Sequence, residues 1–127
     1  MRNQAIRWIA IGFAVFLAMI IILADYQHLP LFITILYSFP NGDRIGHFIL
    51  FGLFSFLLRI AFPHPIIRAL KRDIPVLTLI LAFLIIAEEI SQIFIPVRTF
   101  SWGDLAASLA GWGLGWGIGF CVRRNNQ

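Results

Sequence analysis

Charge is scarce in this chain. Only 13% of its 127 residues are charged, 60% are hydrophobic, and the mean hydropathy is +0.88. Soluble domains run near 45–50% apolar and about 25% charged, so the composition is that of an integral membrane protein. Cysteine is nearly absent. Cys121 stands alone, which excludes an internal disulfide and a Cys-rich metal site, and it reads as a small apolar filler near the end of the last helix. Repeats and low-complexity segments are missing too. The formal net charge of +4 is not a nucleic-acid patch, because the basic residues sit at the ends of apolar runs or between them. No cofactor is expected, and one histidine among scattered acids is a poor metal-ligand set.

What is present is four apolar runs, at about 8–24, 44–62, 74–95 and 102–122. Each is long enough to cross a hydrocarbon core of about 30 Å. The expectation is therefore a single all-α membrane domain, 1–127, with four transmembrane helices. The first run follows Arg2 and Arg7 and reads as a retained anchor, since Ile22 is not the small residue a signal cleavage site needs. Between Pro30 and Pro40 the first loop holds the apolar stretch Leu31–Phe39. It is too short to cross and is expected to lie in the membrane interface. Pro63 and Pro65 end the second run, Pro75 falls in the first turn of the third, and Pro96 ends it.

Basic residues orient the spans. Arg2, Arg7, Arg59, Arg68, Lys71, Arg72, Arg123 and Arg124 fall on one side, and Arg44 and Arg98 on the other. That bias puts both termini and the second loop in the cytoplasm.

Polar residues then converge at the opposite end. Asp43, Arg44 and His47 open the second span, Glu88, Glu89 and Gln92 lie late in the third, and Arg98 and Asp104 lie in or beside the loop before the fourth. Glu89 follows Ile74 by fifteen residues, or about 22 Å of helix, still within the hydrocarbon. Glu88, Glu89 and Gln92 share an arc of about 100°, which must face the bundle or a wet cavity. Asp43 and His47, at i and i+4, share a face, and Arg98 suits a carboxylate partner. Ordinary roles compete: Asp43 as helix N-cap, Ser101-x-x-Asp104 as a capping box, Arg98 as an interfacial anchor. Within the acidic pair, Glu89 is the deeper puzzle and Glu88 the one more easily explained as its neighbour. The fourth span carries Ala107, Gly111, Gly115 and Gly119 at every fourth position. Such a stripe lets helix backbones approach, within the bundle or, alternatively, in a homo-oligomer.

Three motifs, Asp43-Arg44-x-x-His47, Glu89-x-x-Gln92-x-x-x-Pro96-x-Arg98 and Asp104-Leu105 with Gly111, resemble in order and spacing those of the VanZ-like family over about residues 40–119. Arg44 stands where that family usually has Lys, and Ser108 where it usually has Asn. The resemblance implies a small multi-pass protein of the bacterial cytoplasmic membrane, related to one linked to teicoplanin resistance. It carries over Asp43, His47, Glu89, Gln92, Arg98 and Asp104 as motif positions, and Arg44 and Ser108 join them as candidate binding residues. The first expectation is a binding site on the outer side for a membrane lipid, a lipid-linked cell-wall intermediate or a lipoglycopeptide, with Arg98 and Arg44 holding an anionic group. The second is an enzyme using His47 and Glu89 in acid–base chemistry on a lipid-linked substrate. A proton relay is disfavoured, because the polar groups gather at one end instead of crossing the bundle.

The charge asymmetry makes a direct prediction. In a Cys121→Ser background, a cysteine at Gln27 should react with an impermeant maleimide added to spheroplasts, and one at Asn125 only after permeabilisation. The reverse pattern would invert the orientation.

Overall fold

A computed structural model describes residues 2–62, 66–69 and 72–125, with side chains described for 3–62 and 75–125. Six helical pieces and one hairpin follow in order: α1 (Arg2–Asp25), α2 (Leu31–Ser38), α3 (Gly42–Ala61), strands β1 (Ile66–Ala69) and β2 (Arg72–Pro75), α4 (Val76–Ser91), a 3-10 turn (Gln92–Phe94) and α5 (Trp102–Asn125). The stretches 3–25, 42–61, 76–94 and 102–125 are long and apolar enough to cross a membrane. Their outward faces are apolar: Trp8, Val15, Phe83 and Leu84 are all more than half exposed. A surface of that kind fits a membrane protein.

α3 is the hub and packs against α1, α2, α4 and α5. Its tightest partner is α5. A Cβ on Gly111 would collide with the Phe48 carbonyl, and one on Gly115 with the Gly52 carbonyl, so only glycine lets these two backbones meet. At Gly119 the added atom would come 2.9 Å from the Arg59 stem. The small-residue face is thus occupied by α3 of the same chain. Its buried members are Asp104, Ser108, Gly111, Gly115 and Gly119. Ala107, expected in that stripe, is only partly buried, and Ser108 takes its place. Below the glycines, Phe51, Leu81 and Ile85 form a small apolar core joined by Trp112. Ser55 Oγ donates to the Trp112 carbonyl (2.8 Å), and Trp112 Nε1 donates to the Thr78 carbonyl (2.8 Å), tying α3, α5 and α4 together.

Two boundaries depart from expectation. The third span does not begin at Ile74: residues 66–69 and 72–75 pair as an antiparallel hairpin in which Ile67 faces Ile74 and Arg68 faces Asp73. Proline holds the residue before it out of the helical region, so Ile74 stays extended and α4 starts at Val76. The all-helical expectation omitted this hairpin. Asp43 is not the N-cap of α3 either. Asn41 takes that position in a left-handed conformation (φ 58°), which asparagine tolerates better than most residues, and Asp43 falls in the first turn. The other end of α4 is as expected: the helix tightens to a 3-10 turn and stops before Pro96. α2 covers the predicted apolar segment, burying Ile33 and setting the Tyr37 ring against Gly46.

The glycine seam yields a paired test. Gly115→Leu should cost at least about 2 kcal/mol of unfolding free energy, because backbone and not a flexible side chain must yield. Gly117 has open space around it, so Gly117→Ala should be neutral or add up to about 1 kcal/mol through helix propensity. Denaturation in detergent micelles reads both.

Candidate functional site

The ends of the bundle are chemically distinct. Arg7 at the start of α1 donates to the Ala61 carbonyl at the end of α3 (3.3 Å). Arg98 meets Asp25 at the end of α1, and Arg44 near the start of α3 lies over Gly103 at the start of α5. Asp25, the openings of α3 and α5 and the end of α4 therefore share one end, and the predicted site residues collect there.

Pro96 is the local cause of half of this arrangement. By ending α4 it turns residues 97–101 back across the helix end, and that return brings backbone to Glu89. Glu89 is 1% exposed. Its Oε1 accepts the Ser101 backbone N–H (3.0 Å), and its Oε2 accepts from Gln92 Nε2 (3.3 Å). The same Gln92 nitrogen donates to Glu88 Oε1 (2.9 Å). A buried carboxylate is tolerated only when it is hydrogen-bonded in this way. Glu89 thus holds the loop that leads into α5.

Arg98 finds its carboxylate partners in neither Glu89 nor Asp104. Nη1 donates to Asp25 Oδ1 (3.1 Å) and Nη2 to Glu88 Oε1 (3.3 Å). Glu88, the less regarded acid, is its anchor on α4. Asp25 is a member of this network that the sequence reading does not single out. The signal that could have found it was its place as the first acid after the first span, on the side where Arg98 falls.

The other half of the site is built by α3 on α5. His47 is buried with both ring nitrogens engaged: Nε2 lies 3.4 Å from Asp43 Oδ1 and Nδ1 lies 3.1 Å from Ser108 Oγ. An ionised carboxylate only accepts, so a neutral imidazole carries its proton on Nε2 and accepts the Ser108 hydroxyl at Nδ1. Ser108 is 1% exposed and sits beneath the imidazole. Asp104 is buried at the mouth. Its backbone N–H is capped by Ser101 Oγ (3.3 Å), as the capping motif predicts, and its carboxylate faces Arg44 Nε (3.7 Å) and the Asp43 carboxyl.

These groups border a cavity of about 430 Å³ lined by Asp43, His47, Gln92, Arg98 and Asp104, with Tyr37, Thr34 and Gln27 along the α2 side. Burial, aided by the nearby Asp43 charge, raises the Tyr37 hydroxyl above its ordinary range, so it remains a neutral donor. Ala24, Tyr37, His47 and Arg98 also line a narrow crevice that runs between α1 and α3 past Leu17, Ile20, Leu50 and Phe51. Of the remaining site residues predicted from sequence, Glu89 and Ser108 support the wall from behind and Arg44 lies at the exposed rim. Among the described residues, no group of three or more His, Cys, Asp or Glu side chains could hold a metal ion. Comparison with known protein families, curated proteins and solved structures returns no match.

The pairing makes a double-mutant-cycle prediction. The coupling energy of Glu88→Gln with Arg98→Gln should be about 1–3 kcal/mol, and that of Glu89→Gln with Arg98→Gln close to zero. Unfolding titrations of the three single variants, the two double variants and wild type provide the measurement.

Proposed function

We propose that this chain is a VanZ-like multi-pass protein of a bacterial cytoplasmic membrane that binds an amphiphile from the outer leaflet. The observation that carries the reading is adjacency: a polar cavity and a small, mostly apolar crevice of about 30 Å³ both border Ala24, Tyr37, His47 and Arg98. A headgroup would occupy the cavity, and its hydrocarbon would leave between α1 and α3. α1 suits a lateral gate, because only 17% of its span is buried and its main partner is α3. The basic-residue asymmetry supports an outward-facing cavity and cytoplasmic termini.

The geometry refines the kind of headgroup. Asp25, Asp43, Glu88, Glu89 and Asp104 outnumber Arg44 and Arg98 at this end, and Arg98 already serves two carboxylates. An anionic group held by Arg98 would have to displace one of them. Asp43 and Asp104 instead offer acceptors to the cavity, so the fitting headgroup brings an ammonium or several N–H and O–H donors. Membrane lipids, lipid-linked cell-wall intermediates and lipoglycopeptides are the classes in which such a group joins a long chain.

A second reading, acid–base chemistry on a lipid-linked substrate, draws on the Asp43–His47–Ser108 chain. Its Nε2 and carboxylate border the cavity, as a general acid or base requires. Glu89, clamped by Ser101 and Gln92, then has a structural part only.

Phosphatidylethanolamine and phosphatidylcholine share a phosphate and differ in whether the nitrogen has N–H donors. Phosphatidylethanolamine should raise the thermal midpoint more than phosphatidylcholine does, and Asp104→Asn should remove the difference. Ile20→Trp, which fills the crevice, should remove it as well. Equal response to both lipids in the wild type would contradict the headgroup assignment. Turnover of a lipid-linked substrate that fails in His47→Gln would favour the second reading.

A further inference from the structure

The end of the bundle away from the cavity carries a different anomaly. Three buried polar side-chain atoms among the described residues have no hydrogen-bond partner: Arg59 Nε, Thr78 Oγ1 and Trp116 Nε1. Arg59 lies in the last turn of α3 and Thr78 in the first turn of α4, so both belong to the end where the termini lie. Arg59 is 8% exposed. Its stem is fixed against Gly119 of α5, and its guanidinium carbon sits 5.7 Å from the centre of the Phe120 ring. Trp116, one turn before Phe120, has its ring 6.1 Å from the Phe120 ring. Two side chains with orphaned N–H donors therefore lie near one aromatic ring.

Arg123 adds to the anomaly. It follows Gly119 by four residues and shares its face of α5, and it is the charge that bears on Arg59. Two arginines thus share the seam where α3 and α5 end, one with its stem on Gly119 and one a turn beyond that glycine. The acids with described side chains, Asp25, Asp43, Glu88, Glu89 and Asp104, all lie at the opposite end. The sixth acid, Asp73, belongs to the hairpin, outside the described side chains. Helix C-termini favour cations through their aligned carbonyls, which accounts for arginine here but leaves the Arg59 Nε–H without an acceptor. Leaving a buried donor on a charged group unmade costs more than a typical net hydrogen bond returns.

We infer that Arg59 and Arg123, at the joint end of α3 and α5, form a binding site for a phosphate-type anion. The guanidinium fork matches phosphate oxygens, which accept charge-assisted hydrogen bonds from Nε and Nη together. Two sources offer this chemistry: the headgroup of an anionic phospholipid in the adjacent leaflet, and a free phosphate from the aqueous side. The site is separate from the cavity, and its occupancy does not depend on what the cavity binds.

The full chain in nanodiscs tests the assignment. Phosphatidylglycerol titrated into a phosphatidylcholine bilayer should raise the thermal midpoint of the wild type. Arg59→Gln should weaken the lipid's half-saturating fraction by about tenfold, the scale of a lost charge-assisted hydrogen bond. If Arg59→Gln fails to fold, Arg123→Gln, which leaves the packed stem in place, should still weaken it. Arg124→Gln, an exposed neighbour, should leave the response intact. Inorganic phosphate in phosphatidylcholine discs distinguishes the sources: stabilisation lost in the same variants would support the free anion. No response to either probe would overturn the site, and so would equal losses in Arg59→Gln and Arg124→Gln, which would mean diffuse membrane charge.

Discussion

The close approach of α3 and α5 is the constraint on which the rest depends. It exists because Gly52, Gly111 and Gly115 present no Cβ where backbone meets backbone. With no hydrophobic drive between helices in lipid, such contact is a main source of association. Its consequences run in both directions along the seam. Toward one end it sets His47 against Ser108 and Arg44 over Gly103. Toward the other it seats the Arg59 stem on Gly119. One steric fact at the middle therefore positions a hydrogen-bonded imidazole at one end and a buried guanidinium at the other.

The second organising element is the return of the chain after Pro96. Without it, Glu89 would lie inside apolar surroundings with a single amide for company. The loop supplies the Ser101 N–H, and the same loop delivers Arg98 to Glu88 and Asp25. The acids that made this region conspicuous are thus put to different uses. Glu89 secures backbone, Glu88 and Asp25 fix an arginine, and Asp43 and Asp104 are left facing the cavity. Positive charge is consumed inside the network, and negative charge is what the cavity shows.

Much of this organisation was legible in the residues. Apolar runs and prolines located the four long helices, and the scarcity of charge made every ionisable residue informative. Convergence of Asp43, His47, Gln92, Arg98 and Asp104 followed from alternating spans. Pairing was not legible, because it depends on how each helix is rotated about its own axis. Adjacent residues differ by about 100° around a helix, and that step alone sends Glu88 toward α1 and Glu89 toward the returning loop. Asp25 was overlooked for a related reason: nothing in its neighbours shows that a residue 73 positions later closes on it. The hairpin between α3 and α4 escaped notice because its strands are only four residues each, too short for an alternating pattern to stand out from its prolines and basic residues.

The central claim is that the polar cavity receives the headgroup of a membrane amphiphile through contact with Asp43 and Asp104. A photo-crosslinking amino acid at Gln27, on the cavity wall, tests it most directly when irradiated in native membranes and read by mass spectrometry. The account predicts a lipid-type adduct at Gln27 that is distinct from those captured at Phe83 on the outer surface of α4, and that disappears in Asp104→Asn. An adduct pattern at Gln27 identical to that at Phe83, or one indifferent to Asp104→Asn, would contradict it.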